Sequence, residues 1–68
     1  MNDEAFNLSL RKFLKTVGVG SQREIEQAVQ RALADGKVAG NATFPVKMTL
    51  EAPGVALKVD FEGTISLE

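Results

Sequence analysis

Between Val38 and Leu67 the apolar residues keep to even positions before a Pro-Gly pair and to odd positions after it. The first set is Val38, Ala42, Phe44, Val46, Met48 and Leu50; the second is Val55, Leu57, Val59, Phe61, Ile65 and Leu67. Alternation on both sides of a turn predicts a β-hairpin with one wet face and one face that something must cover. With the turn centred on Pro53-Gly54, Leu50 stands opposite Leu57, Met48 opposite Val59 and Val46 opposite Phe61. On the wet face Lys47 then meets Asp60, so one register satisfies apolar pairs and a charge pair together.

The strands are expected over about 42–51 and 55–67. Pro45 on the polar side places the first strand at an edge. Gly63 does not change the parity of the apolar positions that follow it. Residues 65–68 therefore read either as the end of one long strand or as a short third strand after a Glu62-Gly63-Thr64 loop. The continuous strand is preferred, because it pairs Ala42 with Ile65 in the same register.

The N-terminal part reads as two helices. Phe6, Leu10, Phe13, Leu14 and Val17 form one apolar stripe on a helix over about 3–17, with Asn2 or Asp3 as its cap and Gly18 as its stop. Ser21-Gln22-Arg23-Glu24 matches the capping-box pattern and predicts a second helix over about 22–35, with Ile25, Ala28, Val29, Ala32 and Leu33 inward and Gly36 just past its end. Arg23, Gln27 and Gln30 look outward on that helix. Leu8 falls off the first stripe, as a lone exposed leucine or as part of a contact surface.

The expected fold is therefore α+β. Two N-terminal helices pack on one face of a C-terminal antiparallel β-hairpin, within a single small domain spanning 1–68. Phe44, Val46, Met48, Leu50, Leu57, Val59 and Phe61 are the expected core. At 68 residues such a chain lies near the lower size limit for unaided folding, and it has no cysteine to staple it. The absence of cysteine and of an apolar run of membrane-spanning length points to a cytoplasmic protein with no membrane association.

Chemistry is scarce. With no His, Cys, Tyr or Trp, no side chain has an ordinary pKa near neutrality and Ser9, Ser21 and Ser66 have no histidine base. The carboxylates fit helix caps and wet faces, and no calcium-loop spacing joins them. Gly18-Val19-Gly20 lacks both the preceding strand and the third glycine of a phosphate-binding loop. Catalytic, cofactor and metal sites are therefore all expected to be absent.

Two functional readings follow. The first is a non-catalytic protein-interaction or accessory module, with Leu8, Arg23, Gln27 and Gln30 as candidate contacts for a protein partner. Because a two-stranded ribbon has unpaired edges, this reading includes a homodimer joined through the hairpin. The second is a small helix-turn-helix-like DNA-binding regulator, with Ser21, Gln22 and Arg23 at the start of a recognition helix. Eight basic against nine acidic residues disfavour it, since phosphate neutralisation supplies most of the affinity in such complexes.

Several segments together resemble a family of short bacterial proteins classed as a domain of unknown function. They are residues 6–15, Val17-Gly18-Val19, residues 21–26, Gly36-Lys37 and residues 47–51. The resemblance implies a bacterial cytoplasmic origin and a compact domain. It implies no activity, ligand or catalytic residue.

Overall fold

The computed structural model describes residues 1–68. One helix, α1 (Asp3–Ala34), precedes two strands, β1 (Thr43–Ala52) and β2 (Leu57–Ser66), which are joined through a 3-10 turn, Pro53–Val55. The chain forms two compact units, residues 1–37 and 38–68.

The expectation of two helices is overturned, because α1 runs for 32 residues without a break at Gly18-Val19-Gly20. The reason lies in the phase of the apolar residues. Phe6, Leu10, Leu14, Val17, Ser21, Ile25, Ala28 and Ala32 follow one another at spacings of four, four, three, four, four, three and four. That repeat of about 3.67 residues per turn is close to the helix's own and keeps all eight on one slowly turning stripe. A break at the glycines would leave four carbonyls and four amides to be satisfied elsewhere, whereas carrying two glycines through a helix costs only about 1 kcal/mol each.

Local hydrogen bonds agree with continuity. Ser21 does not cap a second helix; its hydroxyl donates back to the Gly18 carbonyl at 3.3 Å, as the Thr16 hydroxyl does to Lys12 at 3.1 Å. The real caps lie at the two ends. The Asn2 side-chain oxygen accepts from the Ala5 amide at 3.0 Å, with Asp3 and Glu4 in the first turn. At the other end Gly36 is left-handed with φ of 72°, and the Lys37 and Gly36 amides donate to Ala32 and Leu33 at 2.9 and 3.2 Å. This is a Schellman closure, in which glycine avoids the steric cost of its Cβ-bearing alternatives.

In the second unit β1 and β2 pair antiparallel, and β2 runs through Gly63 without a bulge, so no third strand forms. The register differs from expectation by two residues. Leu50 faces Val59, Met48 faces Phe61, Val46 faces Gly63 and Phe44 faces Ile65, while Lys47 faces Glu62 rather than Asp60. A slip of two leaves every side chain on its expected face.

Two features select the observed register. The connection is four residues long, with the Ala56 amide closing on the Pro53 carbonyl at 3.1 Å and Ala56 itself left-handed at φ of 53°. On the wet face this register sets Lys47 against Glu62 and Glu51 against Lys58, and it lets the Thr49 hydroxyl donate to the Asp60 carboxylate at 2.6 Å. The expected register would have supplied only the pair of Lys47 with Asp60. Opposite charges across a strand pair contribute roughly 0.2–1 kcal/mol each.

The expected core does not form as such. Of its seven members Phe44, Val46 and Leu50 are half-buried, while Met48, Leu57, Val59 and Phe61 are exposed, Phe61 by 60 %. Indeed no side chain of either unit is fully buried. A lone helix and a lone ribbon each supply a single layer, and one layer has nothing within itself to cover its apolar side.

Two substitutions test these assignments. Val19→Pro should cost about 3 kcal/mol or more of helix stability in circular-dichroism unfolding, because it lies inside a continuous helix; a flexible connector at Gly18-Gly20 would tolerate it. Ala56→Gly should stabilise the hairpin by about 1 kcal/mol by relieving the left-handed alanine, and a loss of stability would contradict the turn described.

Candidate functional site

Two one-sided apolar surfaces are the most extended features of the two units. On α1 the stripe holds Phe6, Leu10, Phe13, Leu14 and Val17 in its first half and Ser21, Ile25, Ala28, Val29 and Ala32 in its second. The half-buried members are Val17, Ser21, Ile25, Val29 and Ala32, at steps of four, four, four and three. Phe6, Leu10, Phe13 and Leu14 are all exposed. On the hairpin the pairs Phe44–Ile65, Met48–Phe61, Leu50–Val59 and Ala52–Leu57 line one face, and the opposite face carries only polar residues and Pro45.

The contact residues expected from the sequence lie elsewhere. At 100° per residue, Arg23, Gln27 and Gln30 share the side of α1 turned away from the stripe, all exposed. Leu8 is 68 % exposed and borders a shallow depression with Glu4, Asn7 and Arg11. It stands about 22 Å along the axis from Arg23, at 1.5 Å per residue. The helix thus brings Arg23, Gln27 and Gln30 together and leaves Leu8 apart.

In addition, Arg23 sits in mid-helix with its backbone amide engaged, so the free amides of a recognition-helix start are absent there. No helix-turn-helix corner precedes Ser21. The apolar stripe as one surface was missed because its two halves were assigned to different helices, although the step Val17–Ser21–Ile25 already linked them in phase.

Two further depressions are open to solvent. One lies beside the turn, among Glu51, Pro53, Ala56, Leu57 and Lys58, and another on α1 among Val19, Gln22, Arg23 and Glu26. No three acidic, histidine or cysteine residues stand together as metal ligands would. No helix is long and apolar enough to cross a membrane.

A long capped helix followed by a two-stranded antiparallel hairpin defines a small α+β protein. The chain belongs to DUF6494, a family of unknown function, which it matches over residues 1–68. No curated protein and no solved structure matches it.

Because Arg23, Gln27 and Gln30 have no side-chain hydrogen-bond partners in the fold, replacing any one by alanine should change stability by no more than about 0.5 kcal/mol. Chemical denaturation measures this, and a loss above about 2 kcal/mol would show that the residue supports the fold.

Proposed function

We propose that this protein is a non-catalytic interaction or accessory module of the cytoplasm, acting through its apolar faces. The observation that supports this best is the lack of any fully buried side chain in a chain that is 44 % apolar. Apolar surface in continuous one-sided faces is what a protein-binding element presents. A role without catalysis is favoured by the residue inventory, in which histidine, cysteine, tyrosine and tryptophan are all missing.

The hairpin adds a second mode of contact. Its sheet has two strands only, so each strand has one outer edge with free amides and carbonyls. Pairing of such edges across a twofold axis would give a homodimer with a four-stranded sheet. Pro45 removes one amide near the open end of β1, and β2 carries no proline.

Binding to random duplex DNA at low salt discriminates this reading from a nucleic-acid regulator. With a net charge of −1 the protein should bind weakly or not at all. Tight binding that falls steeply with added salt would overturn the module reading in favour of the DNA-binding one.

A further inference from the structure

We propose that two copies of this chain join through the outer edge of β1, antiparallel, about a twofold axis at Thr49, into one four-stranded sheet. This rests on the module reading and names which edge of the hairpin is used and in which register.

The direction of the backbone groups comes first. The Leu67 amide donates to the Ala42 carbonyl at 3.0 Å, and these two residues continue the register of the ribbon. In an antiparallel pair, opposed residues alternate between exchanging both hydrogen bonds and exchanging none. Ala42, Phe44, Val46, Met48, Leu50 and Ala52 therefore turn their backbone groups toward β2. Thr43, Pro45, Lys47, Thr49 and Glu51 turn theirs outward, and no backbone bond outside the ribbon engages the amides of Lys47, Thr49 or Glu51.

The prolines bracket this free run. Pro45 belongs to the outward set but has no amide to donate, and Pro53 opens the turn. Each lies four residues from Thr49. An axis at Thr49 sets the two prolines opposite one another, beyond the paired residues, and between them Lys47, Thr49 and Glu51 supply every amide the pairing needs. Moving the axis one residue, to Met48 or to Leu50, would set Pro45 against Glu51 or Pro53 against Lys47 and lose a bond inside the segment.

Charge selects the same register. About Thr49 the segment is self-complementary: Lys47 meets Glu51 of the other copy, twice by symmetry, and Thr49 meets Thr49. Opposite charges and paired threonines both stabilise adjacent strands. Because Glu51 already faces Lys58 and Lys47 faces Glu62, each flanking row of the four strands alternates in sign across the whole sheet. On the other face Met48 meets Leu50 and Val46 meets Ala52, so the apolar surface runs on from one copy to the next. The edge of β2 lacks this fit. The axes that overlap most of β2, at Phe61 and at Glu62, set Asp60 against Glu62 or Glu62 against itself, and like charges directly opposite destabilise the pair.

Amide exchange reads the edge residue by residue in the unaltered protein. The amides of Met48 and Leu50 are held by the ribbon itself, whereas those of Lys47, Thr49 and Glu51 are protected only in the pair. Their exchange should slow about tenfold for about a hundredfold rise in concentration, because the dissociated fraction falls as the square root of concentration. The Asp60, Glu62 and Thr64 amides on β2 should stay fast throughout. Fast exchange at Lys47, Thr49 and Glu51 at the highest concentration, or protection there that ignores concentration, would overturn the proposal. Protection of Asp60, Glu62 and Thr64 would shift the contact to β2 and overturn it as well. Each of these outcomes leaves the module reading standing, whereas salt-sensitive DNA binding removes that reading itself.

The chain has no cysteine, so a single introduced thiol reports the axis. In Thr49→Cys the two α-carbons would stand about 5.5 Å apart, within disulfide range, and oxidation in a glutathione buffer should give a covalent dimer. Thr64→Cys should give none in the same buffer, because its thiols would be separated by at least three strand spacings, about 14 Å. Equal yields, the reverse result, or no covalent dimer from Thr49→Cys would contradict the register.

Discussion

The in-phase apolar stripe of α1 is the constraint on which the rest depends. Because Val17, Ser21 and Ile25 are four residues apart on either side of the glycines, the hydrophobic pattern favours one rod over a folded-back pair. A folded-back pair could have covered its own apolar sides. A single rod cannot cover its own apolar side.

The hairpin repeats this logic by different means. Its apolar face follows from alternation alone, and on the opposite, wet face the register sets Lys47 across from Glu62 and Glu51 across from Lys58 and joins Thr49 to Asp60 by a hydrogen bond. The polar pairs thus occupy one face and the apolar pairs the other. Both units are specified as single layers with one apolar side, and a partner layer is what such sides require.

Much of this was legible in the residues. Parity assigned both hairpin faces, Pro53-Gly54 located the turn, and Asn2 and Gly36 marked the two helix ends. The errors have specific causes. Ser21-Gln22-Arg23-Glu24 fits a capping box, yet a serine hydroxyl can equally donate to a carbonyl three residues back, and the local pattern does not distinguish the two. The register slipped by two because Pro-Gly suggests a two-residue turn, while the observed connection relies on Ala56 in a left-handed conformation for which alanine carries no signal. Of the candidate contact residues, Leu8 belongs to the first expected helix and Arg23, Gln27 and Gln30 to the outward side of the second, and all four face away from the stripe. The stripe is continuous only because both of its halves lie on one helix.

Linkage between concentration and stability tests the proposal that this chain self-associates. Urea unfolding followed by circular dichroism, at protein concentrations a hundredfold apart, measures it. A protein stabilised by self-association should show its midpoint rising with concentration, by an amount equivalent to about 1.4 kcal/mol per tenfold step for a two-state dimer. A cooperative transition with the same midpoint at every concentration would contradict the account, because it would mean that the single chain is complete in itself.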